Sequence, residues 1–241
     1  KIQLMLENFW MNSNFNKLME NILGTSIEEI DNQWQYYLRK KYFPIYVDRV
    51  PQNIDAIKLT EDGYNFSPVY LESSKHRYIY YVANRTGYSS IYKIELDENY
   101  LPIDDPELVI SAEQTDELEA FHLFQSAIDI SKDVLITFVS KSGATDVIHF
   151  LSANEKKIVK TLQRDYLIFI TSPKFSRNGG KIVFQAVDQK GYSDIYTYDI
   201  LQDSLVRLTN DYYEDRDPSF GLDDNQILFS SDRTAGKFEK N

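Results

Sequence analysis

The chain holds three histidines, His76, His122 and His149, and no cysteine. None of the imidazoles stands in an H-E-x-x-H pattern, so no helical zinc site is written here, and thiolate metal centres and disulfides are excluded outright. No G-x-S-x-G elbow and no Gly-rich phosphate cradle occurs either, which leaves hydrolase and nucleotide-binding readings without residues. His149 lies in an apolar stretch where related segments carry an Ile-Tyr pair, and that gives it a packing role. The remaining polar chemistry is in turns. Asn84, Asp188 and Asp232 occupy matching hairpin positions, and Asp211, Glu214, Asp215 and Asp217 cluster further on. Such side chains accept bonds from the backbone two residues ahead, and the calcium alternative lacks the D-x-[DN]-x-[DN]-G spacing of an EF-hand. Tyrosines recur at Tyr64, Tyr88, Tyr92, Tyr192, Tyr196, Tyr212 and Tyr213; Tyr92 and Tyr196 alternate with Ile, as packing residues do.

Composition narrows the partners. With 26 basic against 37 acidic residues the net charge is -11, so nucleic acid, whose binding needs clustered Lys and Arg to release counterions, is excluded, and an anionic membrane surface is disfavoured likewise. No apolar run approaches the length of a membrane span, so no membrane insertion is expected. An aromatic share of 14% favours strands. The chain opens at Lys1 inside an amphipathic pattern, with no signal segment after it, which reads as a cut or processed product.

Two segments with different periods must position these residues. Over residues 1–44 apolar side chains recur at helical spacing. Phe15, Leu18, Met19, Ile22 and Leu23 form one stripe, stopped by Gly24; Ile27, Ile30, Trp34, Tyr37 and Leu38 form a second, after a capping box at Thr25 or Ser26. Pro44 is expected to end this hairpin. Helices this short are marginal alone and need a partner surface, either the rest of the chain or a preceding domain.

From residue 45 to 241 the period becomes 2 and a phrase repeats. YVANRTGYSSIYKIEL (81–96), TFVSKSGATDVIHFL (137–151) and QAVDQKGYSDIYTYDI (185–200) each join an apolar strand, a Gly turn and an alternating strand, and FSSDRTAGK (229–237) begins a fourth copy. Upstream of the phrase lie SPVYLESSKHRYIYYV (67–82), SPKFSRNGGKIVFQA (172–186) and DPSFGLDDNQILFS (217–230), and before these AIKLTEDG (56–63) and LVRLTND (205–211). A period of 45–55 residues with several short strands per unit indicates an all-β chain folded as a β-propeller. Units near 57–96, 108–151, 158–200 and 205–241 make about four recognisable blades, the last incomplete; closure would take further blades or a strand such as Ile45–Val50.

The pattern LT…SP.FS..G..I.F.S…G..DIY..D resembles the WD-repeat-like units of TolB-like propellers over about residues 56–241. That resemblance implies a periplasmic or cell-envelope location in a bacterium and a funnel face holding the loop before each unit's proline; no cofactor is expected from the residues. Tyr64, Tyr212, Tyr213, Asp215 and Arg216 fall there as candidates for gripping a protein or peptide, since Tyr offers a large contact area with one polar end. NFNKLMENILGTSIEEIDNQWQYYLRKKYFP resembles the closing helices of a gluzincin-type metallopeptidase domain, which implies a peptidase domain upstream in the same polypeptide and a catalytic helix absent from this chain. The expectation is a non-catalytic protein- or peptide-binding module of a cell-envelope protein. Its alternative is the accessory region of a larger zinc metallopeptidase, and a glycan-binding propeller is a third reading.

Overall fold

The computed structural model describes residues 2–11, 14–49, 56–61, 63–73, 76–85, 87–111, 120–121 and 127–233. Two compact units divide at residues 58 and 59. The first contains three α-helices: α1 (Ile2–Asn8), which the sequence reading did not anticipate, α2 (Phe15–Leu23) and α3 (Ile27–Tyr46). Asn14 caps α2, its side chain accepting from the Asn16 N–H at 3.0 Å, and Gly24 closes it at φ 79°. Ser26 caps α3 by accepting from the Glu29 N–H at 3.1 Å, with Glu28 and Glu29 in the positive first turn. Contrary to expectation, Pro44 lies inside α3. Its missing N–H costs one ladder bond within the last turn, and the Val47 N–H still reaches the Phe43 carbonyl at 2.9 Å. Ile45 and Tyr46 therefore belong to a helix, which removes Ile45–Val50 as a candidate closing strand; Val50 itself is outside the described residues. No described helix is long and apolar enough to cross a membrane.

The second unit is built from antiparallel sheets. The first holds β1 (Asn65–Ser73), β2 (His76–Ala83), β3 (Ser90–Leu96) and β4 (Glu107–Ser111) in that order. In the second, β5 (Ala120–Phe121) and β6 (Asp129–Ile130) both pair with β7 (Leu135–Ser142), followed by β8 (Thr145–Ser152) and β9 (Lys157–Gln163). The third runs β10 (Leu167–Phe175), β11 (Lys181–Asp188), β12 (Ser193–Asp199), β13 (Ser204–Arg207), and the fourth has β14 (Asp215–Phe220) and β15 (Ile227–Ser231) among the described residues. First strands of successive sheets lie side by side, β1 with β6, β6 with β10 and β10 with β14, so the sheets converge there as propeller blades do. The sequence units are offset from these blades by one strand. The stretches that opened each unit, at 108–111, 157–163 and 204–207, instead complete the blade before it.

Neighbouring blades hide each other's faces. One core joins Leu71, Tyr80, Val82, Ile91 and Val109 of the first blade to Ile128, Ile136, Phe138 and Leu151 of the second. Another joins Val139, Ile148, Phe150 and Leu162 of the second to Ile170, Phe184, Tyr196 and Tyr198 of the third. Middle strands are thus covered on both faces, and β11 reads KIVFQAVD with few exposed positions rather than a clean alternation. Each such large side chain removed from water stabilises the fold by about 1.5–3 kcal/mol.

First strands turn a corner. Ser67, Ser172 and Asp217 have φ of 48°, 54° and 50°, each directly before a proline, and the pairing register slips at each. Two residues there face one on the partner strand, so the side-chain parity switches: Ile170 and Phe175, five apart, enter the same core. In the second blade the described pairings on this side of β7 are Phe121 opposite Ser140 and Asp129 opposite Thr137.

Gly63 makes the tightest approach. It sits at φ 69°, and a Cβ built there would lie 3.0 Å from the Asn84 carbonyl oxygen. Gly63→Ala is expected to lower stability by roughly 1–3 kcal/mol through combined strain and clash, measured by urea denaturation; an unchanged midpoint would refute the close approach.

Candidate functional site

The blade ends that carry the candidates are those where the first strand begins and the second strand turns into the third. At the first blade the Tyr64 carbonyl accepts from the Asn84 N–H at 3.2 Å, and at the fourth the Glu214 carbonyl accepts from the Asp232 N–H at 3.4 Å. The same bond thus ties each loop to its hairpin. Above this frame the Tyr64 ring is 73% exposed and stacks on Phe66 at 6.3 Å. The Tyr212 ring is 72% exposed and meets Tyr192 edge-on at 5.4 Å, a hairpin residue of the third blade. Each is a largely exposed ring resting on one aromatic neighbour.

Tyr213 is half-buried. Its N–H donates to Asp211 Oδ1 at 3.0 Å, and its ring lies 5.5 Å from the Arg233 guanidinium. Arg233 in turn donates to Asp211 Oδ2 at 2.5 Å and to Asp215 Oδ2 at 3.0 Å. Asp215 is wholly buried and lies beneath the face, where it anchors Arg233. Arg216 is exposed and pairs with Glu214. Tyr212, Tyr213 and Asp215 therefore share one platform, Arg216 lies next to Asp215 at the start of β14, and Tyr64 occupies the corresponding end of the first blade.

A second ionic knot binds the third blade's hairpin and outer strand. Arg207 donates to Asp188 Oδ2 at 3.1 Å and to Asp194, while its Nε donates to the Thr209 carbonyl at 3.0 Å. Burial pushes the Asp194 carboxyl above its ordinary range, against the pull of Arg207. From the hairpin a polar file crosses to the next blade: Thr171 donates to Gln185 at 3.2 Å, Gln185 to Ser193 at 3.0 Å, and Ser193 to the Asp215 carbonyl at 3.0 Å. The second blade makes a simpler clasp, with Asp146 Oδ2 accepting from the Ile170 N–H at 2.9 Å.

Asp188 and Asp211 behave as turn residues: Asp188 Oδ1 accepts from the N–H groups of Lys190 and Tyr192 at 2.8 and 3.3 Å and Asp211 Oδ1 from that of Tyr213, whereas Asp232 Oδ1 accepts from the Glu214 N–H at 2.8 Å, a bond between strands and not within a turn. Asp188 pairs opposite Leu167 within the ladder, whereas Asn84 and Asp232 lie just past theirs, so the three positions match in sequence more closely than in register. His149 is buried in β8, bonded through Nε2 to Ser140 Oγ at 2.7 Å and stacked on Phe138 at 5.0 Å. Burial alone lowers its pKa to about 4. His76 pairs with Glu95 at 2.6 Å on the surface, and His122 lies outside the described residues. Sequence reasoning missed Arg233 as a prop for the platform. The signal was available: Arg85 and Arg233 follow the same hairpin position, and both guanidiniums lie over aromatic rings.

No protein-family model matches the chain. Among solved structures it is similar to TolB from Acinetobacter baumannii, with a TM-score of 0.54 and 20% identity over 69% of this chain and 37% of that one. It is also similar to a putative TolB from Agrobacterium tumefaciens, with a TM-score of 0.46 and 17% identity over 58% of this chain and 45% of that one. An uncharacterized protein from Listeria monocytogenes EGD-e gives 0.45 and 14% over 65% and 43%. The chain spans less than half the length of each of these proteins. The first likeness, together with the converging four-stranded sheets, identifies the fold as a TolB-like β-propeller.

Proposed function

We propose that this chain is a non-catalytic module that binds a protein or peptide on the blade face bearing Tyr64, Tyr212, Tyr213 and Arg216, with Asp215 supporting it from below, as part of a bacterial cell-envelope protein in the periplasm. One observation carries the reading: two tyrosines each more than 70% exposed stand at corresponding blade ends, their rings fixed by aromatic neighbours. Aromatic plates that lose little freedom on contact are what recurs at the energetic centre of protein interfaces. The test is selection from a displayed peptide library followed by titration. Tyr64→Ala with Tyr212→Ala is expected to weaken the selected peptides by at least about 30-fold, as for loss of two anchors of roughly 1–2 kcal/mol each, with thermal stability unchanged. Equal affinity in the double variant would remove the proposal.

The accessory region of a larger zinc metallopeptidase is the second reading, and the helical unit favours it. Trp34 and Phe43 of α3 remain 59% and 53% exposed, and α3 buries none of its residues, so this unit keeps apolar surface for a further domain. An H-E-x-x-H helix encoded ahead of Lys1, and chelator-sensitive peptide cleavage by that longer protein, would establish it; a reading frame without that motif would end it.

A further inference from the structure

The residues directly before β1, β10 and β14 are Tyr64, Tyr166 and Glu214, and the same bond holds each of them. The carbonyl accepts from the N–H of the residue directly after the blade's second strand: Asn84 at 3.2 Å, Gln189 at 3.1 Å and Asp232 at 3.4 Å. Tyr166 is therefore the counterpart of Tyr64 on the third blade. Its ring is 46% exposed, and Ile168, two residues on, is 40% exposed. A second bond fixes its loop, from Gln189 Nε2 to the Asp165 carbonyl at 3.1 Å. The hairpins add rings of their own: Tyr88 follows Gly87 and is half-exposed, and Tyr192 follows Gly191 and meets Tyr212. In the second blade Ala144 follows Gly143, so that hairpin position carries no ring.

This arrangement limits what can lie on the face. Tyr64 and Tyr166 belong to blades separated by a whole blade, so a ligand that touches both is a length of chain. Their carbonyls are already taken by hairpin N–H groups, so contact falls to rings and hydroxyls and not to a backbone ladder. The guanidiniums around the rings are neutralised by their own carboxylates: Arg216 by Glu214, Arg233 by Asp211 and Asp215, Arg207 by Asp188 and Asp194. None of these three offers a socket for a charged ligand. A chain gripped by rings alone gains least when it must first lose its own freedom. A polyproline II helix is extended beforehand and lays flat pyrrolidine rings on aromatic plates, while its free carbonyls accept from Tyr hydroxyls.

We infer, on the reading of this face as a peptide-binding surface, that Tyr166 is one of its contact residues and that the bound segment is an uncharged, proline-rich chain in the polyproline II conformation. It runs from Tyr64 past the second blade to Tyr166 and Tyr212.

Fluorescence anisotropy on the polypeptide as its gene encodes it, with labelled decaproline and a Gly-Ser peptide of equal length, tests this. Decaproline is expected to bind at least about 10-fold more tightly than the Gly-Ser peptide, and Tyr166→Ala to weaken it at least about 5-fold. Tyr166→Phe keeps the plate and most of the affinity. Tyr100→Ala removes an exposed ring from the turn after β3, at the opposite blade ends, and leaves binding unchanged. Equal binding of the two probes, or full affinity in Tyr166→Ala, would overturn the inference. If library-selected peptides need Tyr64 and Tyr212 but carry no excess of proline, the inference falls and the reading of the face stands; if they need neither tyrosine, both fall.

Discussion

Replacing His149 with Phe is expected to flatten the stability of this protein across mildly acidic pH. In the folded chain the imidazole is buried with its pKa lowered to about 4, whereas in the unfolded chain it titrates near 6.5. Between these values the unfolded state holds the proton and the folded state does not. The contribution is therefore complete above pH 6.5 and drains away as the pH falls toward 4. A gap of this size corresponds to about 3 kcal/mol. His149→Phe keeps the ring against Phe138 and removes the titration; the Ser140 hydroxyl loses its partner, a penalty that does not vary with pH. Urea denaturation at pH 7 and pH 4.5 gives the comparison. The natural chain should lose about 2–3 kcal/mol more than the variant over that interval; equal losses would mean that the folded imidazole takes up its proton freely.

The second large effect is expected at Arg207. Its guanidinium joins Asp188 and Asp194, and the Asp194 carboxylate has no exposed surface. Arg207→Met leaves that carboxylate buried without its counter-charge, at a cost of roughly 3–5 kcal/mol. Asp194→Asn in the same chain removes the orphaned charge and should restore a substantial part. The double-variant cycle separates the charge pair from simple packing of the Arg stem over the Tyr196 ring, 5.8 Å away. If Asp194→Asn restores nothing, the stem and not the charge is what matters.

How much of this was legible beforehand follows from where the physics is local. The Gly-turn phrase and the apolar runs around it are short-range signals, and the hairpins they indicated stand at the middle of the first three sheets. Gly24 as the stop of α2 was read correctly for the same reason, and of the two cap candidates Thr25 and Ser26 it is Ser26 that caps α3. Pro44 misled because a proline removes only its own ladder bond, and the helix runs on past it to Tyr46 with the Val47 N–H still held by the Phe43 carbonyl. Blade boundaries misled because similarity between copies shows that a strand exists and not which sheet it joins; LVRLT resembles AIKLT, and only pairing shows that it ends the third blade. The platform was half visible. Tyr64 and Tyr212 could be picked as loop tyrosines, but the inward placement of Asp215 and its tie to Arg233 depend on contacts between residues 18 apart, which spacing does not reveal. The polar file from Thr171 to Asp215 crosses two blades and was likewise unreadable from one dimension.

The proline corners of β1, β10 and β14 bear on how this gene can change length. Elsewhere in a blade, the loss of one codon from a loop merely shortens it. At residues 67–68, 172–173 or 217–218 the same deletion would remove the extra residue and leave a smooth strand in unchanged register, with Ile170 and Phe175 four apart and still on one flank, so that only the bend is lost. A codon lost inside an unbroken strand such as β11 is what would turn every side chain beyond it over, so length variation among relatives should gather in the hairpins and at these corners and spare the unbroken strands.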